Sequence, residues 1–226
     1  MIRIEHPLDG GERVVIRFTE VDDGDLRVDA PGVEQRRSTI DPRPWTWLRQ
    51  RHGRDVVVVH RPGDGTGEEA DAVVTRCRDA VLAVQVADCA PVAMWSPDGV
   101  IAAVHAGWRG LADGVLPAAA EAMRALGAAH ISSVLGPCIR VGSYEFGAGD
   151  LAAVAATLGD SVVGQTTSGR PALDIVAAVR ASLRQADVDD LTDVGRCTAE
   201  SPDLWSWRAE GTRCRQGVLV VKEAAG

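Results

Sequence analysis

The first 44 residues carry only a mixed hydrophobic pattern, in which Val14–Phe18 reads as a strand and Thr19–Asp25 as an acidic loop. From Arg54 onward the pattern sharpens into short, Val-rich apolar runs. These are DVVVVH (55–60), ADAVVT (70–75), AVLAVQVA (80–87), APVAMW (90–95) and GVIAAVH (99–105), divided by Gly, Asp, Pro or Arg. Short apolar runs bounded by chain breakers predict buried strands. GLADGVLPAAAEAMRALG (110–127) predicts a helix, with Leu111, Val115, Leu116, Ala119, Met123 and Leu126 near helical spacing. Pro117 marks a kink or a late helix start, and Gly127 suits the end. ISSVLG (131–136) predicts another strand. Asp150–Leu158 and Ala172–Ala186 predict two further helices, the second with Leu173, Val176, Val179 and Leu183 on one stripe. DVGR (193–196), LWSW (204–207) and QGVLVVK (216–222) are expected to close the chain as strands. Strands outnumber helices, and several follow one another directly. The expectation is a mixed-sheet α/β or α+β fold rather than a regular doubly wound one.

The length of 226 residues suits one domain spanning 1–226, or two small packed halves, and is enough for a core that needs no disulfides. No internal repeat is found, and the Gly- and Pro-rich stretch RPGDGTGEE (61–69) is too short for a domain linker. With 4% aromatic residues, the core must rely on Val, Ala and Leu. The net charge of −8 argues against nucleic-acid binding, which depends on neutralising phosphates. It leaves room for a local basic pocket that takes a small anion. Five widely spaced cysteines are a poor disulfide framework, the N-terminus carries no signal-like pattern, and no apolar run reaches membrane-spanning length. A reducing, cytoplasmic setting without membrane association is expected.

Three segments concentrate chemistry. In VQVADCAPV, Asp88 and Cys89 end an apolar strand just before Pro91. In IAAVHAGWRG, His105 ends another, followed by two glycines that let a ligand approach, and by Arg109, which can offer a bidentate charge to an anion. In LRQRHG, Gln50 and His52 precede a third strand. Each has an ordinary structural reading when taken alone: a buried thiol, a turn histidine, a loop histidine. Together, His52, Cys89 and His105 supply two imidazoles and one thiolate. That set suits zinc and leaves the fourth tetrahedral position of a catalytic site free for water or substrate. Asp88 can orient a ligand or act as a base.

The motifs Q-x-H-G (50–53), A-D-C-x-P-V (87–92), H-A-G-W-R-G (105–110) and L-G-P-C-I (135–139), in that order, resemble the YfiH-type purine nucleoside phosphorylase family, earlier known as a multicopper polyphenol oxidase or laccase-domain family. The resemblance is strong over approximately Trp47–Glu145. It implies a layered α/β/β/α-like fold similar to a group of cysteine hydrolases, and a zinc ion on His52, Cys89 and His105. It also implies phosphorolysis of adenosine, inosine, guanosine and methylthioadenosine by inorganic phosphate, together with adenosine deamination. Cys89, His105 and Asp88 are then the catalytic candidates. Arg109, Gln50, Arg208, Asp71 and Cys138 are candidates for holding nucleoside or phosphate, with Tyr144 and Glu145 in a matching loop. Trp108, Trp205 and Trp207 could stack on a purine.

The chain departs from the family pattern in two places. Trp205-Ser206-Trp207-Arg208 matches, but Ala209-Glu210 replaces an expected Arg-Asp. FTEVDDGDL (18–26) stands where an early Gly-Gly-Val-Ser is usual. Three other functions remain open. A copper-dependent polyphenol oxidase would need more histidines than His6, His52, His60, His105 and His130. A metal-free hydrolase acting on peptidoglycan precursors would use Cys89 as nucleophile and His105 as base. A non-enzymatic nucleotide-binding protein would have lost activity through the altered C-terminal segment. The pattern leaves the oligomeric state open.

Overall fold

A computed structural model describes residues 1–188 and 190–225. The strands are β1 (Ile2–Leu8), β2 (Glu12–Phe18), β3 (Trp45–Trp47), β4 (Val56–Val59), β5 (Ala72–Thr75), β6 (Val81–Val86), β7 (Ala90–Trp95), β8 (Ile101–Ala106), β9 (Ser132–Leu135), β10 (Val163–Gln165), β11 (Pro171–Leu173), β12 (Asp190–Asp193) and β13 (Gln216–Ala224). The helices are α1 (Val33–Ile40), α2 (Trp108–Asp113), α3 (Val115–Ala125), α4 (Ala148–Leu158), α5 (Ile175–Gln185) and α6 (Trp207–Glu210).

Two mixed sheets organise the molecule. One has five strands in the order β1-β2-β13-β6-β3, the other six in the order β12-β9-β7-β8-β5-β4. β3 runs parallel to β6, β4 to β5 and β12 to β9, and the remaining pairs in these two sheets are antiparallel. The sheets pack face to face through Ile16, Phe18, Leu82, Val84, Val218 and Val220 on one side and Val73, Ala93, Trp95, Ile101, Ala103 and Val134 on the other. The outer face of the six-stranded sheet is covered by α2 to α5, whose Leu111, Leu116, Met123, Val154 and Val179 meet Val74, Val92, Met94 and Val104. Ile40, at the end of α1, packs on the outer face of the five-stranded sheet. The result is the layered α/β/β/α arrangement. It explains why β6, β7 and β8 are buried at every position and read as continuous apolar runs rather than alternating ones.

Several sequence expectations need correction. The helix expected over 110–127 is two helices divided at Gly114, whose φ of +88° suits a residue without Cβ. Pro117 sits in the first turn of α3, where its missing N–H costs nothing. The helix expected from Ala172 begins at Ile175, capped by the Asp174 carboxylate, because Ala172 and Leu173 pair with β10 instead. LWSW forms no strand. Its backbone and side-chain bonds go elsewhere: Trp205 N–H to Gln216 Oε1, and Ser206 Oγ to the Asp88 carboxylate and the start of α6. Of DVGR, only Asp193 lies in a strand, the end of β12. β1 and α1 lie in the N-terminal region whose pattern gave no such elements.

Candidate metal centre and arginine-lined cleft

The chain crosses between the two sheets at the β3–β4 and β6–β7 connections, and the chemistry gathers at these crossings. His52 lies in the first, Cys89 in the second, and His105 near the end of β8. Their donor atoms all lie within 4.8 Å of one another. Cys89 Sγ is 3.9 Å from His52 Nε2, and the two imidazoles meet edge-on with ring centroids 4.7 Å apart. A tetrahedral zinc with ordinary bond lengths separates such S and N donors by roughly 3.5 Å, so small side-chain adjustments suffice.

Buried Asp71 builds this geometry. Its Oδ1 accepts from His105 Nδ1–H at 2.7 Å and from His52 N–H at 2.9 Å, and its Oδ2 accepts from the N–H groups of Arg51 and Gly53 at 3.1 and 2.8 Å. One carboxylate therefore holds the His52 loop and fixes the His105 tautomer, leaving Nε2 of His105 free to ligate. Burial pushes the Asp71 carboxyl up, but His105 and the backbone donors outweigh it and hold the group below its ordinary value. Burial likewise opposes ionisation of Cys89 and His105. Their mutual attraction prevails, lowering the thiol and raising the imidazole, with His52 and Asp71 contributing. A thiolate beside two imidazoles is a ready donor set for a soft or borderline cation.

Gly107 completes the cradle. A Cβ there would lie 2.8 Å from His52 Cδ2, 3.4 Å from Cys89 Sγ and 3.5 Å from His105 Cε1. A Cβ at Gly110 would lie 2.7 Å from the carbonyl oxygen of Gly53, so α2 packs directly on the His52 loop. His52 (φ 61°) and Asp88 (φ 100°) hold left-handed backbone, and such strain concentrates at functional sites. These residues therefore fit a metal ion held by His52, Cys89 and His105.

The other candidates fall into distinct places. Asp88 lies beside Cys89, but its Oδ1 accepts from Thr198 and Ser206 hydroxyls at 2.6 and 2.7 Å, and its Oδ2 from Arg208 N–H at 2.7 Å. It ties the C-terminal segment to the cleft. Gln50 lines the cleft, with its amide held by the backbone N–H and C=O of Gln85. Arg109 and Arg208 line one wall: Arg109 stacks on Trp108 at 4.3 Å, and Arg208 lies over Tyr144 at 5.2 Å. Trp207 is exposed at the rim. Trp205, Asp71 and Cys138 do not line the cleft. Burial pushes the Cys138 thiol up to about 12, which leaves it protonated at neutral pH. Glu145 pairs instead with Arg170.

The cleft encloses about 810 Å³. Its further lining includes Arg49, Arg51, Arg27, Arg213 and Arg215, which sequence reasoning did not single out. Nothing in their spacing marks them, because they come from three separate loop segments: the one after β2, the β3–β4 connection and the one before β13. Ser206 lay within the matched segment Trp205–Arg208, but the segment alone gave no sign that its hydroxyl and that of Thr198 would converge on Asp88.

Comparison with known proteins agrees with this architecture. A family model described as multi-copper polyphenol oxidoreductase laccase matches residues 20–223. The purine nucleoside phosphorylase SCO2081 of Streptomyces coelicolor is 42% identical over 180 residues, 78% of this chain and 74% of that protein. The purine nucleoside phosphorylase ORF3 of Streptomyces griseus is 40% identical over 185 residues, 80% and 75% of the two chains. Among solved structures, Neisseria meningitidis protein NMB0706 superposes with a TM-score of 0.82 at 25% identity, covering 98% of each chain. YlmD from Geobacillus stearothermophilus gives a TM-score of 0.81 at 23% identity, covering 95% of this chain and 93% of that one, and supports the fold alone. With the family model spanning almost the whole sequence, the chain belongs to the multi-copper polyphenol oxidoreductase laccase family.

Proposed function

We propose that this chain is a zinc-dependent purine nucleoside phosphorylase that uses inorganic phosphate on adenosine, inosine, guanosine and methylthioadenosine, and that it also deaminates adenosine. The observation that carries the reading is the convergence of His52, Cys89 and His105 on the floor of an arginine-lined cleft. The names of relatives at 42% and 40% identity support the same reaction class. Zinc bound there would supply Lewis acidity and an activated water, as deamination at the purine C6 requires. Arg109 and Arg208 neutralise and orient the phosphate that attacks the sugar C1′. Trp207, exposed at the rim, offers an aromatic face for the base, while the Trp108 ring is already engaged by Arg109 and Phe146. Asp71 fixes His105, and Asp88 fixes Arg208, so both act by positioning.

The multi-copper chemistry in the family name is a poorer fit. His6 stacks on Trp95, and neither His60 nor His130 joins a three-donor group among the described residues. A second reading rests on Asp71–His105–Cys89, which is also the layout of a metal-free cysteine hydrolase. One assay separates the two. Protein purified without a metal-affinity tag is given inosine with and without phosphate, before and after chelation. Hypoxanthine release that needs both phosphate and metal supports the proposal. Absence of release with every purine nucleoside, in fully metal-loaded protein, would reject it.

A further inference from the structure

The cleft carries more positive charge than one inorganic phosphate needs. On the wall beside the metal site, Arg109 and Arg208 both lie near enough to Tyr144 to bear on its phenol. A second group stands on loops of the other sheet: Arg27 after β2, and Arg213 and Arg215 before β13. This group is braced. Asp25 Oδ1 accepts the backbone N–H groups of both Arg27 and Arg215 at 2.9 Å, and Leu26 N–H donates to the Arg215 carbonyl at 2.9 Å. Asp25 belongs to FTEVDDGDL, the segment that departs from the family pattern, so the brace is built from this chain's own residues.

The guanidinium groups are largely unspent. Arg213 makes no ion pair or hydrogen bond through its side chain among the described residues. Among the described residues, Arg215 Nη1 donates only to the nearby Thr212 and Cys214 carbonyls, at 3.4 and 2.8 Å. Arg27 meets exposed Asp29 through Nε and, among the described residues, has no hydrogen bond from its terminal nitrogens. The carboxylate lining the cleft, Asp88, is already taken by Thr198, Ser206 and Arg208. Among the described residues the three arginines meet a single counter-charge, the exposed Asp29 beside Arg27, and like charges so gathered repel one another, a cost that a bound anion removes. The cleft volume of about 810 Å³ lies toward the upper end for small-molecule sites.

We propose that Arg27, Arg213 and Arg215 form a second anion subsite that takes the 5′-phosphate of a purine nucleoside monophosphate, while Arg109 and Arg208 serve the inorganic phosphate. The inference rests on the purine nucleoside reading above and extends its substrate class to phosphorylated nucleosides. Guanidinium forks match phosphate oxygens bidentately, and both arginine groups line the same ligand-sized cleft while coming from different parts of the fold.

The test is calorimetric binding of adenosine 5′-monophosphate and of adenosine to the full chain at low ionic strength. It is repeated with Arg213→Gln and with Arg215→Gln. Arg213 is exposed, so its variant should fold normally. The expected result is a monophosphate bound about tenfold or more tightly than adenosine, an advantage that shrinks with added salt and falls severalfold in each variant. Adenosine binding without any monophosphate advantage would overturn the subsite and leave the nucleoside reading standing. An advantage that survives both substitutions would overturn the residue assignment. No binding of either ligand would overturn both.

Discussion

At the scale of single residues, the site depends on what is small and what is fixed. Gly107 contributes no side chain, and that vacancy is what lets three donors meet around it. Gly107→Ala leaves the local backbone (φ −69°, ψ 159°) in a region any residue adopts, so folding should be little affected. The new Cβ displaces the His52 ring, and metal affinity should fall on the order of tenfold or more. A competition titration with a chromophoric chelator reads this directly, and wild-type affinity in the variant would show that the three residues do not close on one ion. Cys89 and His105 were legible in the sequence because each follows an apolar strand and precedes small residues or proline. Their dependence on Asp71 was only half legible: the resemblance marked the position, but four bonds from one carboxylate appear only when residues 51–53, 71 and 105 are folded together.

Among the elements, legibility tracked burial. The strands β5 to β8 were readable because layers on both faces bury every position and leave them nearly all apolar, and β4 because all four of its residues are valine. β1 was not, because its period-2 alternation, Ile2 and Ile4 against Arg3 and Glu5, is short and gives way at His6-Pro7. α1 was missed for a related reason: VEQRRSTI has almost no apolar stripe, and it is held by polar contacts instead. Asp41, which follows α1, shows what those contacts contribute. Its buried carboxylate accepts from Arg17 and Arg43 at 2.7 and 2.6 Å, and its carbonyl accepts the Trp45 indole N–H at 2.8 Å. Burial alone would raise its pKa, but the two guanidinium groups bring it down to about 2. A carboxylate with a depressed folded-state pKa adds stability above its unfolded value of 3.8 and loses it as pH falls through about 2. Asp41→Asn should therefore cost about 2 kcal/mol in urea unfolding at pH 7. The gap between variant and wild type should narrow in the acid range below pH 4. A gap that is constant with pH would show that Asp41 acts through shape rather than charge.

For the whole molecule, function follows from the seam between two sheets. The β3–β4 and β6–β7 crossings bring His52 and Cys89 together. The loops leading into β13 and out of β2 carry Arg213, Arg215 and Arg27 to the same opening. Such a meeting of distant segments has no local signature. Strands β4 to β9 and β13 could be foreseen, and so could an anion pocket on Arg109 and Arg208, while the wall of Arg27, Arg213 and Arg215, on a chain of net charge −8, could not. The central claim is the metal centre, and the most direct test is elemental mass spectrometry on untagged protein beside its Cys89→Ala variant. About one zinc per wild-type chain, lost in a variant that still folds, is the result this account predicts. Wild-type protein without bound metal even after incubation with zinc, or undiminished metal in the variant, would contradict it.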